Sequence, residues 1–266
     1  MVGYDPANRI AVIIPNYNMP EKADAIVDTI LGSSDHRMFD IYLVDNGSDL
    51  VAKAKHTTVS LPINCQTTGA ILCGMAAAGK KVSINKHMKD YLAYWVVITS
   101  TTLKPDIDYI SVGIQYMMTI KELVGYSPAL DDASSSAWMH LFSRDSITLP
   151  FIFGSRRVWM LDNIATFWRK DWLDSIGRFD PRLTYAWGID LETSYLARKQ
   201  NKVLMVSDNI SVNKTTDIGY SMNRMNMSAY DRRAKAYANM KEVLSQRYGP
   251  DWESIMRNAY VNPEWR

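Results

Sequence analysis

Cysteine is nearly absent from this chain, with only Cys65 and Cys73 in 266 residues. Two thiols build neither a disulfide framework nor a four-ligand metal site, so both read as structural, and a reduced compartment suits them. Long apolar runs are lacking as well. Ile10 to Pro15 and Tyr94 to Ile98 have only strand length, far below the roughly 20 residues of a bilayer span, and no transmembrane helix is expected. The first residues, Met1-Val2-Gly3-Tyr4-Asp5-Pro6, show no basic region followed by an apolar stretch. No secretory signal is therefore expected, and the cytoplasm is the default compartment, with peripheral attachment to a membrane left open. An excess of one charge is missing too: 30 Lys and Arg stand against 28 Asp and Glu, a net +2 that does not announce a nucleic-acid protein. The local exception runs from Lys214 to Lys241, where Arg224, Arg232, Arg233 and Lys235 face few acids. A phosphate, an anionic membrane surface and a plain solvated helix face all fit that segment.

What is present is the composition of an ordinary globular domain, 47% hydrophobic and 22% charged. The length suffices for a full core, and a single folded body is expected. Ile10-Ala11-Val12-Ile13-Ile14, closed by Pro15, has the continuous β-branched character of a strand buried on both faces of a mostly parallel sheet. A helix over Glu21 to Leu31, capped by Gly32, and a strand over Ile41 to Val44 complete a βαβ unit. Further on, the pattern predicts a small-residue helix over Gly69 to Ala78, a strand over Tyr94 to Thr99, a helix starting at Pro105 and running through Ile120, and a short strand at Leu123 to Tyr126. Asp131 to Ser136 reads as the most loop-like stretch. Beyond it a strand is expected over Arg157 to Leu161, helices over Trp168 to Ile176 and Asp190 to Arg198, a strand over Val203 to Val206, and a long helix over Ser228 to Tyr248. The first half looks nucleotide-binding, and the second half is more irregular and rich in tryptophan.

In open α/β sheets, ligands bind outside the carboxyl ends of the strands. Two polar loops leave strands there: Pro15-Asn16-Tyr17-Asn18, and Asp45-Asn46-Gly47-Ser48-Asp49, whose first carboxylate can accept hydrogen bonds from a base or a ribose. Singly, each is also what turns are made of.

Together and in this order, Pro15-Asn16-Tyr17-Asn18 and Val44-Asp45-Asn46-Gly47-Ser48 resemble the opening motifs of GT-A glycosyltransferases of family 2. Ile176-Gly177-Arg178-Phe179-Asp180-Pro181 followed by Trp187-Gly188-Ile189-Asp190-Leu191-Glu192 is similar to that family's Gly-Gly-Phe-Asp-Glu stretch and the Glu-Asp helix start after it, with Ile189 in place of the Glu. The resemblance spans residues 10 to 215 or so. It implies a GT-A fold, Rossmann-like, with a mostly parallel sheet flanked by helices, an irregular acceptor-binding second half and a C-terminal helix. The three parts would fall at about 1–125 for the nucleotide-sugar half, 126–222 for the acceptor and catalytic half, and 223–266 for a helical extension. It further implies a nucleoside-diphosphate sugar as donor, UDP-type favoured, and a hexosyl or pentosyl transfer with inversion. The first loop would pack around the nucleotide, Asp45 would contact its base with Asn46 beside it, and Asp190 would be the general base that takes the acceptor proton. Gly69, opening the run to Gly74, falls beside the donor in the family pattern, although tight helix packing explains it equally well. Asp190 also stands where an acid complements a helix dipole.

The sequence departs from the family where a divalent metal is usually held. Thr99-Ser100-Thr101-Thr102 follows the third strand with no acid before Asp106, and Val212-Asn213-Lys214 lacks the His that often ligates the metal. Hydroxyls are poor ligands for Mg²⁺ or Mn²⁺ in place of carboxylates. Two readings stand: a metal-independent enzyme in which Lys214 and Arg224 meet the diphosphate as fixed cations, with Thr99, Ser100 and Thr101 beside the donor, or a non-catalytic sugar-nucleotide or glycan-binding protein. For the acceptor side, Trp159, Trp168, Trp172 and Trp187 offer aromatic faces to sugar rings, at least two of them being expected in the core. Trp187 and Gly188, beside Asp190, are the best placed, with Asp162 and Asn163 as polar contacts. A glycan is the expected acceptor. Modified nucleic acid is the alternative, and steep salt dependence would expose it.

Overall fold

A computed structural model describes residues 9–84, 92–99, 101–130, 155–214 and 227–258. Strand β1 (Arg9–Asn16), helix α1 (Pro20–Ser33) and strand β2 (Phe39–Asp45) form the expected βαβ unit, the two strands running parallel from Ile10 opposite Phe39 to Asn16 opposite Asp45. Strand β3 (Thr57–Ser60) adds to β2 in parallel, and after helix α2 (Gln66–Ile84) strand β4 (Leu92–Ile98) adds to the other side of β1. The short β5 (Thr101–Thr102), helix α3 (Tyr109–Thr119) and strand β6 (Leu123–Leu130) follow. Next come β7 (Ser155–Arg157), β8 (Ala165–Arg169), α4 (Lys170–Ser175), α5 (Ile189–Lys199), β9 (Val203–Lys214), α6 (Ala229–Tyr248) and α7 (Trp252–Asn258). The strands lie in the order β3-β2-β1-β4-β8-β6-β9-β5, with β7 on β9. All neighbours from β3 to β4 are parallel, as are β6 and β9, while β8 runs antiparallel to both of its neighbours. Among the described residues no helix is long and apolar enough to cross a membrane.

Strand alternation divides the core between the two faces of the sheet. Ile13, Val44, Trp95 and Trp168 point to the face covered by α2, α4, α5 and α6, where Met75, Leu173, Leu191 and Met240 meet them. Val12, Ile14, Leu43, Val96 and Phe167 point to the other face, against Ile26 and Ile30 of α1 and Ile110 and Ile114 of α3.

Several boundaries differ from the sequence reading. Gly32 does not cap α1: the helix continues through Ser33, and the Ser34 amide bonds the Ile30 carbonyl. Helix α3 starts after Asp108, whose carboxylate accepts the Ser111 amide as an N-cap, so Pro105 belongs to the preceding turn. Residues Val158 to Leu161 are not strand; pairing with β9 stops at Arg157. Trp168, expected in a helix, lies in β8 opposite Trp95. A strand inserted between two others is buried on both faces and shows no alternation, so its apolar run merges with the helix after it. Asp131 to Ser136 lies outside the described residues.

Candidate functional site

The loops after β1 and β2 are knitted into one surface. Asn18, buried and left-handed at φ 55°, uses its carbonyl oxygen to accept the amides of Asp49 (3.1 Å) and Leu50 (3.2 Å), and its NH₂ donates to the Asp49 carboxylate at 2.9 Å. The Asn18 amide donates to Ser48 Oγ, and the half-buried Tyr17 hydroxyl donates to Asp49. Burial pushes the Tyr17 phenol up, while the Asn18 hydrogen bond holds the Asp49 carboxyl below its ordinary value. Gly47, at φ +72°, cannot be replaced: a Cβ there would stand 2.4 Å from the Ile63 carbonyl carbon. Asn46 in turn bonds Asn64, the Cys65 amide and the Gln66 carbonyl, which sets the start of α2.

Two side chains stand apart from this network. Pro15 brings β1 to its end opposite Val44, and the next cross-strand pair is Asn16 and Asp45, on the face that carries Ile14 and Leu43. Asp45 is 0% exposed, neither carboxylate oxygen has a hydrogen-bond partner, and the nearest cation, Lys53 Nζ, lies 3.9 Å from Oδ2. The Asn16 carbonyl oxygen accepts the Met19 amide, but its buried NH₂ has no partner either. A buried carboxylate without hydrogen bonds is costly, and its position at the ligand edge of the sheet supplies a reason for it.

The first turn of α2 connects these loops to the Asp190 segment. The Thr68 hydroxyl donates to the Leu183 carbonyl and accepts the Ala186 amide at 3.1 Å, and the Thr68 amide donates to the Thr184 carbonyl at 3.1 Å. Gly69 follows in the same turn, half-buried, where an added Cβ would lie 2.8 Å from Cys65 Cβ. Asp190 is the second residue of α5, half-buried, and its Oδ1 accepts the Leu191 amide at 2.8 Å. Gly188 caps that helix at φ +91°, and a Cβ on it would come within 2.8 Å of Met240 Cγ. Trp187 beside it is 40% exposed. The acids around Asp190 are paired. Asp180 binds Arg182 and Arg247, and Glu192 accepts from Arg247 Nη1 at 2.6 Å and from the Tyr248 hydroxyl at 2.8 Å. Burial alone would raise the Asp180 carboxyl, but the Arg182 hydrogen bonds and the Arg247 charge hold it below its ordinary value.

After β4, the Thr99 hydroxyl donates to the Asn163 carbonyl at 2.8 Å, and β5 pairs with the end of β9 so that Thr101 stands opposite Lys214. Ser100 and Arg224 lie outside the described residues. Thr102 stands opposite Asn213 in the same pairing, and among the described residues no three His, Cys, Asp or Glu come together. Trp168 and Trp172 stack in the core at 5.8 Å between ring centroids, and Trp168 Nε1 donates to Asn163 Oδ1. Trp159 is half-buried. Asp162 lines a shallow pocket with Arg156, Pro128 and Leu130. Sequence reasoning missed Thr68, Asn239 and Arg247; the only sequence signal for any of them was the Thr67-Thr68-Gly69 helix start.

No protein-family model and no curated protein matches the sequence. Among solved structures, the fold is similar to the crystal structure of GalNAc-T7 with UDP, GalNAc and Mn²⁺, with a TM-score of 0.55 over 77% of this chain at 9% identity. The fold is GT-A-like. The aligned part spans 43% of the GalNAc-T7 chain, less than half its length. Parallel pairing places the ends of β1, β2 and β4 along one edge of the sheet, where Asn16, Asp45 and the Thr99 loop are found, and Thr68 at the start of α2 ties residues 183–186, just before α5, to the helix that follows β3.

Proposed function

We propose that the chain transfers a sugar from a nucleoside-diphosphate donor, UDP-type favoured, to an acceptor hydroxyl with inversion. The observation that carries this reading is that the Asp45 carboxylate oxygens and the Asn16 NH₂, at the carboxyl ends of adjacent parallel strands, are buried without hydrogen-bond partners. A carboxylate that lacks a donor and a neighbouring amide NH₂ that lacks an acceptor are complementary to a base edge with a ring N–H next to a carbonyl, as in uracil. Lys53, 54% exposed, can withdraw to admit it. Asp190 then takes the acceptor proton as the acceptor oxygen bonds to the anomeric carbon. The bond from that carbon to the diphosphate breaks in the same displacement, and the nucleoside diphosphate leaves. Lys214 and Arg224 compensate the charge that develops on the leaving group, so turnover survives EDTA. Trp187 and Gly188 present the acceptor, a glycan, with Asp162 and Trp159 further along.

The test is a thermal-shift and calorimetric screen of UDP-, GDP- and dTDP-sugars on the wild-type chain and on Asp45→Ala. A UDP ligand at a hundred times its dissociation constant should stabilise the wild type by about 2.7 kcal/mol, and the variant should lose most of that shift. Equal shifts in the two proteins would remove the donor assignment. A non-catalytic sugar-nucleotide-binding protein would show the same binding with no UDP release.

A further inference from the structure

We propose that α6 is a working part of the transfer site, with Asn239 and Arg247 as positioning residues that set Asp190 through the loop before it; this rests on the reading of Asp190 as the base. Residues 177 to 188 are mostly irregular, and Gly177, Arg178, Ala186 and Gly188 adopt positive φ. Such backbone keeps one shape only when its surroundings over-determine it. From one side Thr68 does so. From the other side α6 does so at three heights. Asn239 accepts the Thr184 amide at 3.1 Å and the Thr184 hydroxyl at 3.3 Å, while its NH₂ donates to the Arg182 carbonyl at 3.0 Å. Met240, one residue on, packs where Gly188 has no side chain. Two turns further, Arg247 joins Asp180, near the start of the loop, to Glu192, which follows it on the first turn of α5 with Asp190.

These contacts bracket Asp190 at 182–184, at 188 and at 192 without using its own carboxylate. One guanidinium shared by two buried carboxylates is an expensive way to pack a helix, and apolar residues would hold α6 at least as well. What the polar arrangement adds is direction: a planar guanidinium that bridges two carboxylates fixes where the helix start sits, and a general base displaced by an ångström loses on the order of 10²-fold in rate. As proposed, these groups act on turnover through the position of Asp190.

The experiment compares full-length wild type, Asn239→Ala, Asn239→Asp and Asp190→Asn. It measures UDP affinity by calorimetry, UDP release from the UDP-hexose that the wild type cleaves fastest, and hydrogen exchange of peptides across the chain. In Asn239→Ala, exchange should accelerate in the 182–191 peptide and stay unchanged in β1 and β4. Turnover should fall at least about tenfold with UDP affinity unchanged. Asn239→Asp, which keeps an acceptor for the Thr184 amide, should recover part of the rate. Unchanged exchange in 182–191, unchanged turnover, or a parallel loss of turnover and UDP affinity would each overturn the positioning role. If Asp190→Asn turns over like the wild type, the base assignment itself fails; if only Asp190→Asn is impaired, the α6 proposal fails alone.

Discussion

The two ends of the site are built on opposite principles. At the end proposed for the donor, Asn18, Asn46 and Ser48 are spent on holding the loops, while the Asn16 NH₂ and both Asp45 carboxylate oxygens reach the sheet edge without hydrogen-bond partners. At the Asp190 end, the neighbouring buried acids are matched: Asp180 with two guanidinium groups, Glu192 with one guanidinium and a phenol. On the proposed reading, one end keeps its need for hydrogen-bond partners for a ligand, and the other uses its charges to fix geometry. The difference teaches which substitutions should harm binding and which should harm the fold.

Asp190→Asn should have the largest effect and belongs to neither pattern: transfer falls by about 10² to 10⁴ while UDP affinity and stability persist. The product anomer read by NMR should be opposite to the donor's, and retention would end the single-displacement mechanism. Asp45→Ala should weaken UDP binding by about 10- to 150-fold, as expected for a lost hydrogen bond to a charged group, yet leave the unliganded melting temperature unchanged or raised because a buried unpaired carboxylate has gone. A lower melting temperature would break the comparison at the donor end. Arg247→Ala should do the reverse and cost about 1–3 kcal/mol in urea unfolding, less than a fully buried pair because its side chain is 40% exposed. Lys214→Ala should lower turnover more than UDP affinity, by about tenfold; equal losses would place Lys214 in ground-state binding.

The smallest effect is on pH dependence. The Asp180 carboxyl is held below its ordinary value, so its contribution is complete above the unfolded aspartate value of about 4 and is lost as pH falls below it. Urea midpoints of the wild type should therefore drop between pH 5 and pH 3 more steeply than those of Asp180→Asn. Parallel curves would show that Asp180 is not stabilised by its arginines.

Much of this was legible in the sequence because it is local. β1 and β2 announce themselves as apolar runs ended by Pro15 and Asp45, and the Trp187-Gly188 turn marks the start of α5. β8 was not legible, since a strand flanked on both sides carries no periodicity and Trp172, Leu173 and Ile176 drew Trp168 into a helical pattern. Nor were the roles of Thr68, Asn239 and Arg247, whose partners lie 55 to 118 positions away and are fixed only by how α2 and α6 dock. The roles of Asn18 and Asn46 were half visible: their motif was plain, but the hydrogen bonds that spend them on the loops were not.

The place of β8 bears on how the chain assembles. The strand between β4 and β6 is made some 35 residues after β6, and it also brings Arg169, whose guanidinium binds the carbonyls of Met117 and Leu123 at the junction of α3 and β6. Until residues 165–169 arrive on a ribosome, β4 and β6 each present an open edge with buried-type side chains. The part of the chain up to Leu130 therefore cannot close its own sheet. A fragment ending at Leu130 should expose those edges and associate with itself, and the folding rate of the whole should be governed by this late, long-range insertion more than by the βαβ unit that begins the chain.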